Sequence, residues 1–75
     1  MNDPDKVAEI YQKVAAYEEA KPTLDEDSKS YLENVYYGLG YYYSKKGNKP
    51  LADEYFNKVL KVNPNNEGAK KALGM

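Results

Sequence analysis

The chain contains no cysteine, no histidine, no arginine and no tryptophan. Without cysteine there is no disulfide to staple a small fold and no thiolate chemistry. Without histidine as well, the usual zinc ligands are missing. No apolar run approaches the roughly 20 residues needed to cross a bilayer. Met1 is followed by the polar turn Asn2-Asp3-Pro4-Asp5, not by the basic-then-apolar start of a signal peptide. No Asn-x-Ser/Thr acceptor is present, so the compartment stays open. A net charge of −1 argues against a nucleic-acid or membrane-surface partner won by net charge. What the chain does have is 75 residues with nine tyrosines, so tyrosine rings must form much of any core. A single domain of this size buries only about 60% of the surface its unfolded chain exposes.

Three breaks divide the sequence: Pro22-Thr23, Gly47-Asn48-Lys49-Pro50 and Asn63-Pro64-Asn65-Asn66. Between them the apolar residues follow a helical period, and no strand signal stands out. Val7, Ile10, Tyr11, Val14 and Tyr17 form the apolar stripe of a helix over about 4–20, with Asp3 as N-cap and Pro4 at its first position. Asp25-Glu26-Asp27-Ser28 places negative charge at the start of a second helix over about 26–46. Its stripe is Leu32, Val35, Tyr36, Leu39 and Tyr43, and Lys45-Lys46-Gly47 ends it. Asn48 caps a third helix over about 49–62, with Leu51, Ala52, Tyr55, Phe56, Val59 and Leu60 as its apolar side. A short last helix over about 66–73 offers Ala69, Ala72 and Leu73. The expected fold is all-α, a single domain of antiparallel helical hairpins over residues 1–75.

Charge is distributed unevenly. Residues 1–43 hold four lysines and nine acids, whereas residues 44–75 hold seven lysines and three acids. Helix dipoles account for this pattern, because acids favour helix starts and lysines helix ends. The same polarity can also steer head-to-tail association.

Two stretches repeat. Glu9-Ile10-Tyr11-Gln12-Lys13-Val14 lies against Glu54-Tyr55-Phe56-Asn57-Lys58-Val59 at an offset of 45. Between them, Tyr36-x2-Leu39-Gly40-x2-Tyr43, then Gly47, Ala52-x3-Phe56 and Pro64, resembles the tetratricopeptide repeat over residues 33–66, a helix–turn–helix unit of about 34 residues. Tyr36 stands where that family often has tryptophan, and Val59 where it prefers a small residue. Gly40 lets a neighbouring helix approach closely. Segment one, the stretch of the first helix before Pro22, is similar to the second helix of a preceding, degenerate repeat. Its longer spacing reads as an extra helical turn at its end and an early start to the next helix near Asp25. Leu73 and Gly74 fall where the next repeat's Leu-Gly would stand, but Lys70 replaces the aromatic, so the last helix reads as a short cap. A lone repeat cannot bury both its faces, so neighbours or caps are expected.

The resemblance implies a non-catalytic interaction module whose concave face, lined by the first helix of the hairpin, holds an extended peptide or a partner's helix. Mapped by spacing, that face is Asn34, Tyr37, Tyr41, Ser44 and Lys45. On a helical wheel these five lie together, away from the Leu32–Leu39–Tyr43 stripe. Tyr37 and Tyr41 are one turn apart, and an exposed ring with a hydroxyl is good contact chemistry. The competing reading packs Tyr37 or Tyr41 against segment one or the last helix. The alternative function is structural, a capping or self-associating unit of a longer helical solenoid. The carboxylate clamp of chaperone-binding members is not matched, because Gly38 occupies its asparagine position and arginine is absent.

Chemistry has no cast. Asp25-Glu26-Asp27 fails the calcium-loop spacing, with Lys29 and Ser30 at the fifth and sixth positions, and reads as helix capping. Gly38-Leu39-Gly40 lacks the third glycine of a dinucleotide fingerprint and lies mid-helix. Ser28, Ser30 and Ser44 have no evident base. Tyr41-Tyr42-Tyr43-Ser44-Lys45-Lys46 mixes rings with cations as RNA binders do, but the near-neutral balance and missing arginine weigh against that partner. No enzyme, metal or cofactor is expected, and no membrane insertion; the expected partner is a protein or peptide.

Overall fold

The computed structural model describes residues 4–21 and 25–75. Four helices follow one another: α1 (Pro4–Glu19), α2 (Glu26–Lys45), α3 (Lys49–Val62) and α4 (Glu67–Ala72), and no strand occurs among the described residues. The Asp3 cap and the Pro22-Thr23 break expected from sequence lie outside the described residues.

Local chemistry sets the helix ends. The Asp25 carboxylate accepts from the Ser28 backbone N–H at 2.8 Å, Asn48 from Leu51 N–H at 3.4 Å and Asn66 from Ala69 N–H at 2.9 Å. Each satisfies one of the donors that a helix start leaves open. After α2, Gly47 takes φ 80°, the left-handed conformation that turns the chain into Asn48 and α3.

The core is one cluster built around α2. Leu32, Leu39 and Val59 are fully enclosed, and Val35, Tyr36, Ala52, Phe56 and Ala69 complete it with Ala8 and Ala15 from α1. The α2–α3 hairpin is the most extensive contact, with α1 against α2 on one side and α4 against α3 on the other. At Gly40 a β-carbon would fall 2.9 Å from the Phe56 ring, so this hairpin closes only because that position has no side chain.

Tyrosines fill much of what aliphatic residues leave. The Tyr43 and Tyr55 rings stack at 5.8 Å and 6°, and Tyr36 lies 6.3 Å from Tyr55. The Lys58 ammonium sits over the Tyr36 and Tyr55 rings at 5.5 and 5.4 Å. Hydroxyls at the edge of this cluster reach α1: Tyr36 donates to Glu19, Tyr42 donates to Asp5, and Gln12 donates to Tyr43.

In α1 the expected stripe needs correction. Ile10 and Tyr17 are 57% and 70% exposed, and Val7 and Val14 only half-buried. The helix meets α2 through Ala8, Ala15 and the buried Glu18, whose carboxylate pairs with Lys21 at 2.7 Å. Small residues bring the two backbones close and Val14 packs beside them, whereas Ile10 and Tyr17 face outward because among the described residues no helix lies on that side.

Candidate partner-binding surface

The five residues singled out from sequence separate into distinct surroundings. Tyr41 and Lys45 stay together: Tyr41 is 54% exposed, and the Lys45 ammonium lies 5.3 Å from its ring centroid. Both line a trough of about 380 Å³ at the seam of α1 and α2, with Val7, Ala8, Tyr11, Gly38 and Tyr42. Tyr37 is 37% exposed but lays one edge on the core, its ring meeting Phe56 edge-on at 5.6 Å. It also covers Gly68 of α4, where a β-carbon would fall 2.7 Å from its Cε2 and hydroxyl. Ser44 lines a separate, smaller cleft of about 190 Å³ with Gly47, Lys49, Ala52, Asp53, Phe56 and Ala72. Asn34 is exposed nearer the start of α2.

Sequence reasoning missed the α1 side of the trough and its floor. Gly38 is the signal that points there. A β-carbon at Gly38 would stand 2.7 Å from Tyr11 Cε2, so the Tyr11 ring lies across a bare stretch of α2 backbone. A glycine in a helix interior costs about 1 kcal/mol relative to alanine, which makes close approach by a ring a physical reason for one here.

The trough is walled by rings and aliphatic carbon with one ammonium. Among the described residues Lys45 enters no ion pair, whereas its neighbour Lys46 pairs with Asp5 at 3.1 Å. The Tyr42 hydroxyl is pushed up from its ordinary value by donating to Asp5, and the Asp5 carboxyl is held down by Tyr42 and Lys46. That group ties the start of α1 to the end of α2 and closes the end of the trough.

Across the chain, burial and the Glu19 contact raise the Tyr36 phenol well above its usual range. Burial followed by the nearby Tyr43 raises Tyr55. These are packing consequences in the aromatic cluster, outside the trough. Among the described residues no group of acidic side chains is placed to hold a metal ion, and no helix is long and apolar enough to cross a membrane.

Two helical hairpin elements stacked around α2, with an open seam on one face, define a helical-repeat interaction fold. The family model described as the tetratricopeptide repeat matches residues 33–66, and that segment, α2 from Glu33 through α3 to Asn66, is a tetratricopeptide repeat. The family is a protein–protein interaction repeat and generally non-catalytic. No curated protein and no solved structure matches the chain.

Proposed function

We propose that this module holds a partner's peptide or helix along the concave side of α2, with the α1–α2 trough as the principal contact. The trough itself carries the reading: an apolar hollow framed by Tyr11, Tyr41 and Tyr42, beside a lysine that among the described residues enters no ion pair. Aromatic rings bury area at low entropic cost, and a cation at the edge orients a backbone carbonyl or an acidic group. Tyr41 and Lys45 act as direct contacts. Asn34 and Ser44 extend the surface toward either end of α2, and Tyr37 holds α4 in place beside it. The four helices form a single domain with the α2–α3 hairpin at its centre.

An amide NMR titration against a peptide library tests this. Shifts should concentrate at Val7–Tyr11 and Gly38–Lys45. Tyr41→Ala should weaken binding at least tenfold while moving stability by no more than about 0.5 kcal/mol, as exposed positions do. Tyr37→Ala should cost about 1–2 kcal/mol, as a partly exposed ring with one edge packed on a core phenylalanine. Shifts confined to α3, or binding unchanged in Tyr41→Ala, would refute the trough.

A further inference from the structure

The outer side of α1 carries a second apolar surface, which borders the trough at Val7 and runs away from it through Ile10 and Tyr17. Val7, Ile10, Val14 and Tyr17 fall within an arc of roughly 80° on the helix, and Ile10 and Tyr17 are 57% and 70% exposed. The internal repeat shows what covers such a surface. At the offset of 45 these residues correspond to Ala52, Tyr55, Val59 and Val62 of α3. In α3 that side is occupied by α2, with Tyr55 stacked on Tyr43 and Val59 completely enclosed. Lys13 corresponds to Lys58, which lies over the Tyr36 ring of α2. In α1 Val14 still packs against the edge of the core, but among the described residues no helix lies over Ile10 and Tyr17.

We propose that this side of α1 docks an amphipathic helix of a partner protein, presenting two aromatic residues seven apart, as Tyr36 and Tyr43 are, with acidic residues along one flank. Charge selects the flank. Lys6 and Lys13 border the stripe on its open side, two turns apart, and Lys13 has only an exposed pair with Glu9 at 3.6 Å. The same lysines disfavour a second copy of α1 as occupant, because antiparallel pairing about a two-fold axis sets like flanks against each other. A second copy has no other suitable helix: its α2 is engaged by α3, and α4 is six residues long.

The probe is a synthetic peptide with the sequence of residues 26–45, the helix that covers the matching side of α3. Added to the intact chain, it should shift the amides around Ile10, Lys13, Val14 and Tyr17. Ile10→Asp should lower its affinity at least tenfold with the helical circular dichroism and melting midpoint retained. Lys6→Glu combined with Lys13→Glu should weaken it further. Tyr41→Ala should leave peptide affinity unchanged, which keeps this surface separate from the trough. Absence of α1 shifts at millimolar peptide would overturn the proposal. So would shifts centred on Phe56 and Val59, which mark exchange of the peptide for α2. Concentration-dependent association of the chain alone that protects Ile10 and Tyr17 would assign the surface to a second copy and equally overturn it.

Discussion

At Gly38 and Gly40 an aromatic ring takes the space a β-carbon would need, Tyr11 in the first case and Phe56 in the second. The two rings differ in their freedom to move. Tyr11 is 36% exposed and can swing toward solvent, whereas Phe56 is 4% exposed and enclosed by the core. Alanine in place of glycine gains about 1 kcal/mol of helix propensity at either site. For Gly38→Ala that gain should roughly offset the displaced ring. For Gly40→Ala, overpacking should dominate, with a net loss of about 1–3 kcal/mol. Urea midpoints of the two variants, compared at equal m-value, read the difference directly. Tyrosine ionisation gives a second test at this scale. Tyr36, Tyr42 and Tyr55 all hold their protons above the ordinary phenol range, Tyr36 through burial and then its bond to Glu19. The unfolded chain releases these protons near pH 10. Folding stability that is fully present below about pH 10 should therefore fall as pH rises beyond it. Denaturant midpoints at pH 8, 10 and 11 should decline in that order. Tyr36→Phe should flatten the decline, and tyrosinate absorbance should show late-titrating phenols that appear only on unfolding.

The turn between α3 and α4 is held from two directions. Asn66 caps α4 through Ala69 N–H, and its amide donates to Glu33 on α2 at 2.7 Å. Asn63, at the end of α3, donates to the same carboxylate at 2.9 Å. Asn66→Ala should cost about 1–2 kcal/mol, at the upper end for a cap because the Glu33 contact goes with it. Faster amide exchange confined to 67–72 would locate the loss. Asn65→Ala, at an exposed neighbouring position, should change stability by no more than about 0.5 kcal/mol. These caps explain why element ends could be read from the chain. Asp25, Asn48, Gly47 and Asn66 act on donors and carbonyls within a few residues, so their chemistry is visible locally. The faces of α1 could not be read in the same way. Val7, Ile10, Val14 and Tyr17 are the larger apolar side, yet Ala8 and Ala15 make the close contact, because only one side of α1 has a neighbour. The candidate surface shows the same division. Spacing put Tyr37 and Tyr41 on one side of α2, but whether a ring points to solvent or onto Phe56 depends on where α4 and its Gly68 come to rest.

For the molecule as a whole, the distribution of burial implies that the helices do not open together. Leu32, Leu39 and Val59, the largest of the fully enclosed side chains, all belong to the α2–α3 hairpin, whereas α4 encloses only the small Ala69. By contrast α1 contributes two alanines and a carboxylate that pairs with Lys21, and depends on polar links to the tyrosine cluster: Gln12 to Tyr43, Tyr36 to Glu19, and Lys58 to Glu19 at 3.7 Å. Apolar area sets the free energy of local opening, and hydrogen bonds at a partly wet seam add about 1 kcal/mol each. Native-state amide exchange should therefore show α1 and α4 opening well below the global free energy, with the middle of α2 and α3 exchanging only on complete unfolding. Glu19→Ala removes the acceptor for Tyr36 and the partner of Lys58 together. It should speed exchange across α1 by roughly fivefold to a hundredfold, the equivalent of about 1–3 kcal/mol. Exchange at Leu39 and Val59 should move only as far as global stability does. Equal acceleration in all four helices would mean that the tyrosine cluster welds α1 into a single cooperative unit, and that the seam carrying the trough is as rigid as the hairpin beneath it.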